Sequence, residues 1–266
     1  MITVSLGSHR FESGPTYHYN DSNAGQLVEA MLAPGATTDY VNTLSGANAT
    51  PEEIQQVAAA GIVRLAVGES EYSFIPEASK VLLDVCMGKA NKVPKDLFIG
   101  SRSWDETPRS RLRGTLSNAT LDSASVLATR KNNAVETAGI IETEIQTDEG
   151  IFVIGLANGG IISTARTVLQ LKGGNHELSF VRYSRYKSMD KEPNMHPYPE
   201  SRKDALRRAA EDRQVVVFDE DYATGKTLKT AVDYFAQLFD KQVMGIAPVE
   251  VERRITYNPL VVKSGL

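Results

Sequence analysis

The sequence predicts an α/β protein: a parallel sheet flanked by helices over residues 121–266, with an additional N-terminal α/β region or hood over residues 1–120. Three observations lead there. Between Leu121 and Val251, short apolar runs alternate with helix-patterned segments, the order that parallel strands and crossover helices require. The runs FVIGL and VVVF are continuous rather than alternating, as in strands covered on both faces. Two of these strands run into turns of small and polar residues, ANGG and ATGKT, each of which opens a helix.

In the N-terminal region, NAGQLVEAML reads as a helix capped by Asp21 or Ser22 and stopped at Pro34-Gly35. ATPEEIQQVAAAG reads as a second. Thr50 is its N-cap, Pro51 suits the first helical position, Glu52 and Glu53 favour the positive end, and Gly61 ends it. IVRLAV then reads as a strand, PEASKVLLDVCMG as a helix from Pro76 to Gly88, and KDLFIGSR as a strand. Residues 101–120 are polar, with Arg109, Arg111 and Arg113 at every second position, and read as a solvated connection.

From Leu121 the pattern strengthens. LDSASVLATRKNNAVETAGIIETEIQ is helical in propensity, with an interruption near Asn132-Asn133. There follow a buried strand GIFVIGL, a helix IISTARTVLQLKGG and a strand ELSFVRYSRYK. A polar stretch with three prolines, KSMDKEPNMHPYPE, reads as a loop, with His196 as an ordinary loop residue. The helix SRKDALRRAAEDR, the strand QVVVFDED, the helix GKTLKTAVDYFAQLF and a final strand QVMGIAPVEV complete the series.

The chain has 266 residues, a formal net charge of −4, 41% hydrophobic and 23% charged residues, ordinary values for a soluble globular protein. The slight acidity gives no general reason to expect nucleic acid as a partner. A single cysteine, Cys86, excludes an internal disulfide, suits a reducing compartment and sits among helix-spaced apolar residues as a structural thiol. MITVSLGSHRF lacks the charge and apolar run of a signal peptide, and no stretch approaches the roughly 18 apolar residues that cross a bilayer. A cytoplasmic location without membrane association is therefore expected, and the N-x-S/T triplets at Asn20, Asn48 and Asn118 read as chance matches.

The chemistry concentrates in QVVVFDEDYATGKT. Its GKT suggests a nucleotide-triphosphate loop, G-x-x-x-x-G-K-[ST], but the first glycine of that pattern falls on Glu220. A carboxylate there opposes the triphosphate that the loop should surround with N–H donors. The string suits a two-station site instead. Asp219 and Glu220 stand at the carboxyl end of a buried strand, where open α/β sheets bind ligands. Ala223, Thr224, Gly225, Lys226 and Thr227 then turn into a helix whose first N–H groups and threonine hydroxyls suit one phosphate monoester. The carboxylates can accept from sugar hydroxyls, directly or through a hydrated magnesium ion.

Apolar residues, an acidic pair and then T-G-x-T closely resemble the signature by which type I phosphoribosyltransferases bind 5-phosphoribosyl 1-diphosphate (PRPP). The resemblance implies that Asp219 and Glu220 contact the ribose hydroxyls, are the catalytic pair, and meet magnesium indirectly. It also implies that residues 223–227 grip the 5-phosphate. IGLANGGIISTA, about sixty residues earlier, a normal distance for two βα units in such a sheet, is similar to the family's pyrophosphate loop. Ala157, Asn158, Gly159 and Gly160 would then present amides to the diphosphate. Asn158 or its neighbour stands where many members carry Arg or Lys. SFVRYSRYKSMDKEP resembles the approach to the family's flexible basic loop, with Arg182, Arg185 and Lys187 meeting the diphosphate and Tyr183 and Tyr186 flanking the site.

The family transfers phosphoribosyl from PRPP to a small nitrogenous acceptor, releases pyrophosphate, uses Mg2+ and commonly forms homodimers. Ala223, and Asp221 two positions earlier, depart from the purine-specific pattern. Two further readings accompany the enzyme: a PRPP- or nucleotide-sensing regulator on the same fold, and an enzyme breaking a phosphoribosyl–nitrogen bond in the reverse direction.

Overall fold

The computed structural model describes residues 2–6, 15–19, 56, 59–63, 66–67, 75–89, 120–121, 127–145, 150–157, 160–184, 194–195, 198–252 and 254–265. The helix expected at 23–32, the strand at 95–102 and most of the polar segment 101–120 lie outside them. The chain divides into two compact units, Met1–Ser123 and Ala124–Leu266.

In the first unit, β1 (Ile2–Leu6) and β2 (Pro15–Tyr19) form an antiparallel pair, and β3 (Thr120–Leu121) joins the other edge of β2. The sequence reading assigns no strand to residues 1–19. Helix α1 (Ile75–Cys86) lies where PEASKVLLDVC predicts it. Ile75, Ala78, Ser79, Leu82 and Val85 recur at helical spacing and are buried. The buried Ser79 hydroxyl donates to the Ile75 carbonyl at 2.7 Å. Gly88 adopts φ +68, the left-handed conformation that ends helices at little cost only in glycine.

The strand expected at IVRLAV is a correction: Ile62, Val63, Ala66 and Val67 are helical, and so is Gly61, the expected terminator. Ala59, Ile62, Val63, Ala66 and Val67 are all buried. A short apolar run does not by itself separate strand from helix, and burial here outweighs the helix cost of one glycine.

The second unit contains α2 (Lys131–Ile145), β4 (Ile151–Leu156), α3 (Ile161–Val168), β5 (Glu177–Val181), β6 (Tyr183–Ser184), β7 (Asn194–Met195), α4 (Glu200–Ala210), β8 (Gln214–Phe218), β9 (Asp221–Tyr222), α5 (Lys226–Phe239), β10 (Val243–Glu250) and β11 (Thr256–Lys263). The interruption expected near Asn132 falls at Arg130, where the Asn133 side chain donates to the Leu127 carbonyl at 2.7 Å and closes the preceding turn. The loop expected at 187–200 contains β7, which pairs antiparallel with β6.

The main sheet runs β11-β10-β8-β4-β5. Its β5, β4, β8 and β10 are mutually parallel, as the alternating pattern predicts. β10 is not the final strand: β11 follows it and pairs antiparallel. Pro259 lies within β11, and a proline in a strand is tolerated at a sheet edge, which is where β11 lies.

Register fixes the layers. Gly245 of β10 aligns with Val217 of β8, and Val217 with Ile154 of β4, so these three share one face. A Cβ on Gly245 would meet Val232 and Leu228 of α5. On the same face Phe152 of β4 meets Phe239 of α5 edge-on, with ring centroids 6.5 Å apart. Gly155 points to the other face, where a Cβ would meet Thr164 of α3. Helices therefore cover both faces, and β4 is buried along its whole length. α4 is tied to α5 at the sheet's amino edge. Lys241, just after α5, donates to the carbonyls of Ala210, Glu211 and Arg213 at 2.5, 3.1 and 3.2 Å, occupying acceptors at the end of α4. Among the described residues no helix is long and apolar enough to cross a membrane.

A Cβ on Gly155 would lie 2.5 Å from Phe180 Cε1. Gly155→Ala is expected to cost about 1–3 kcal/mol through overpacking, seen as a lower denaturant midpoint at unchanged slope. An unchanged midpoint would show that β4 and Phe180 are not packed this closely.

Candidate functional site

The parallel strands reverse their order of addition between β4 and β8: β5 lies on one side of β4, while β8 and β10 extend the other. The loops leaving the carboxyl ends of β4 and β8 therefore start at a strand-order reversal, the place where open α/β sheets bind ligands. Both phosphate-loop candidates of the sequence leave from these two strands.

The first loop begins at Ala157, whose N–H donates to the Val181 carbonyl at 2.8 Å and extends the β4–β5 ladder by one residue. Asn158 and Gly159 lie outside the described residues. Gly160, with φ −72 and ψ 11, is the N-cap of α3. Its carbonyl accepts the Thr164 N–H at 2.9 Å, the Thr164 hydroxyl, and the Ser163 hydroxyl at 3.3 Å.

The second begins at Asp219, whose N–H donates to the Ile246 carbonyl at 3.0 Å. Glu220 is buried and donates its N–H to Asp219 Oδ1 at 3.0 Å. Asp221 and Tyr222 form β9, held against Val249 and Glu250 of β10. The Tyr222 hydroxyl donates to the Asn258 carbonyl of β11 at 2.9 Å, and burial followed by the Glu250 charge pushes its pKa upward.

The turn then reaches Gly225, with φ +70, where a Cβ would stand 2.6 Å from Leu260 Cδ2 of β11. Both the left-handed backbone and the close leucine require glycine there. Gly225 is the N-cap of α5, and no side chain caps it. Thr224 Oγ1 accepts the Lys226 N–H at 3.4 Å, a long contact. Thr227 is in the first helical turn and half-buried; Thr224 and Lys226 are exposed. N–H groups at such a helix start lack intrahelical acceptors and favour an anion.

The two loops touch. A Cβ on Gly160 would stand 3.2 Å from the Glu220 nitrogen and 3.6 Å from the Asp219 carbonyl carbon. Gly160, Asp219 and Glu220 are thus brought together, and residues 223–227 follow the acidic pair after β9. Arg182 follows β5, which neighbours β4. Its N–H donates to the Tyr198 hydroxyl at 2.6 Å, and that hydroxyl lies 3.4 Å from the Arg182 carbonyl. This closes the base of the segment from 182 to 198. Arg185, Tyr186, Lys187 and His196 lie outside the described residues. The sequence reading passes over Ser163, Thr164 and Leu260, although the hydroxyl pair in IISTA directly after the glycines is a legible signal.

Electrostatics set Asp219 apart. Burial, and then the charge of Asp221, push its carboxyl up to about 7, against the opposing effect of the Glu220 N–H. Among the described residues no three His, Cys, Asp or Glu side chains converge to hold a metal ion. The acids are hard oxygen donors, but they build no cage. They suit a hydrated magnesium ion held partly by its own phosphate ligands and reached through water, as magnesium commonly is.

No protein-family model matches the chain, and no curated protein matches it.

The raised Asp219 has a stability consequence. Its folded pKa of about 7 exceeds the ordinary 3.8, so the folded state keeps a proton that the unfolded chain releases. Stability from this group is greatest below about pH 4, falls as pH rises, and is lost by about pH 7. Asp219→Asn removes the charge. It is expected to raise Tm by several degrees at pH 8 and not at pH 4, at roughly 2–4 °C per kcal/mol. Equal shifts at both pH values, measured by calorimetry, would refute the assignment.

Proposed function

We propose that the protein is a phosphoribosyltransferase of type I fold, which transfers 5-phosphoribosyl from PRPP to a nitrogenous acceptor and releases pyrophosphate. The observation that carries this reading is the contact of Gly160 with the Asp219–Glu220 backbone at the strand-order reversal. It sets an amide-bearing loop beside an acidic pair that leads directly into a second helix start. A ligand with an anionic group at each end and hydroxyls between them matches that order of stations. The parallel sheet with helices on both faces is compatible with the family fold.

In the reaction the bond from ribose C1 to the diphosphate oxygen breaks, and its electron pair leaves with pyrophosphate. The acceptor nitrogen bonds to C1 and gives up a proton to solvent or to a basic group. Asp219 and Glu220 orient the ribose through its hydroxyls. Residues 223–227 hold the 5-phosphate at the start of α5. The loop at 157–160, with Arg182, Arg185 and Lys187, takes the diphosphate. Magnesium, when bound, neutralises the leaving group. On this reading a carboxylate poised near 7 is an acceptor that proton uptake weakens.

Calorimetric titration of PRPP with magnesium tests the proposal, followed by a screen of nucleobases for pyrophosphate release. Asp219→Asn with Glu220→Gln is expected to weaken PRPP at least tenfold, since charged acceptors contribute roughly 1.5–3 kcal/mol each. Wild-type affinity should fall as pH drops through about 7, where Asp219 takes up its proton. Thr227→Val should weaken PRPP while leaving a phosphate-free ribose analogue unaffected. Absence of PRPP binding at every magnesium concentration removes the proposal. Binding with no release for any acceptor replaces the enzyme by the sensing regulator.

A further inference from the structure

Thr164 and Ser163 sit in the first turn of α3, and both are fully buried. Their hydroxyls, together with the Thr164 N–H, put three donors on the single carbonyl of Gly160. Helical threonine often satisfies its hydroxyl on the carbonyl four residues back. The same habit, at three residues back, covers the Ser163 hydroxyl. It does not account for where Thr164 stands: Oγ1 lies 3.0 Å from the place of a Cβ on Gly155 and 3.5 Å from that on Gly160. The threonine is wedged between the end of β4 and the loop that leaves it. Gly160 in turn abuts the Glu220 nitrogen and the Asp219 carbonyl carbon. A continuous line of contact therefore runs from the Thr164 hydroxyl through the Gly160 peptide to the acidic pair.

We propose that Thr164, supported by Ser163, is a positioning residue that holds the Gly160 peptide against the Asp219–Glu220 backbone and so sets the spacing between the two loops. The coupling stands on the geometry; its effect on ligand choice rests on the PRPP reading. PRPP spans both loops, whereas ribose 5-phosphate uses only the acidic pair and the 223–227 turn. Releasing Gly160 therefore weakens the first ligand selectively.

Thr164→Val keeps the shape and removes the donor; Thr164→Ser keeps the donor. In the ligand-free protein, hydrogen exchange at the Glu220 amide is expected to accelerate in Thr164→Val and return in Thr164→Ser. The preference for PRPP over ribose 5-phosphate should fall about fivefold in Thr164→Val, the order of one hydrogen bond, with ribose 5-phosphate affinity unchanged. Unchanged exchange at Glu220 overturns the coupling, whatever the ligands do. Equal loss of both ligands reassigns Thr164 to general packing and overturns the positioning role. Altered exchange at Glu220 in a protein whose wild type binds no PRPP upholds the coupling and overturns the functional reading instead.

Discussion

The site depends on β4 and β8 lying side by side. Their ladder, Ile151 opposite Gln214 through Gly155 opposite Phe218, carries both strands to the same carboxyl edge. The next residues of each chain segment therefore start from neighbouring points on that edge. They can approach closely because Gly160 has no side chain, and a Cβ there would press on the Glu220 nitrogen. Two helix starts, α3 and α5, are thereby opened from neighbouring strands, with an acidic pair between them. Each helix start alone would be an unremarkable turn. Together they bring the start of one helix close to the acidic pair that precedes the other.

The Asp219 charge is unfavourable in the folded protein. Asp219 is desolvated and faces the charge of Asp221, while the Glu220 N–H offsets only part of the cost. The backbone of Asp219 is held by its N–H, which donates to the Ile246 carbonyl. On the proposed reading, a hydroxyl-bearing ligand or a cation with its waters offsets this cost. On the proposed reading the same carboxylate both lowers stability at neutral pH and strengthens binding, a pairing common where a site is held ready for its ligand.

Much of this architecture was legible in the sequence, and the misses have physical causes. VVVF and FVIGL are strands because continuous apolar runs of this length need cover on both faces, and α3 and α5 supply it. The helices of the second unit were read from period and glycine punctuation, and α5 ends, as expected, after Phe239 with Asp240 left-handed. IVRLAV failed because so short an apolar run does not by itself separate strand from helix. No sequence expectation covers β11, an edge strand that tolerates Pro259. The acidic pair and the turn after it were visible as chemistry. The contact between Gly160 and Glu220 was not, because strand order is a tertiary property that no local pattern specifies. Leu260 was hidden for the same reason: it reaches Gly225 only through the return of β11.

Asp221 gains a definite meaning from its place in β9. Two residues before the loop position that Ala223 occupies, its backbone pairs with Val249 of β10. Its charge acts on Asp219 from there and contributes to the raised pKa. Next to it, Tyr222 is fastened through its hydroxyl to Asn258, whose side chain donates to Glu250 at 2.7 Å. Beyond Tyr222, Ala223 offers no group able to accept a proton from an acceptor base. The segment between the acidic pair and the 223–227 turn is therefore tied down by β10 and β11, and its charges tune Asp219. Under the transferase reading, proton removal from the acceptor has to come from outside this turn. Selectivity for the acceptor then rests on what surrounds C1, while the stations for ribose and 5-phosphate stay fixed to the sheet.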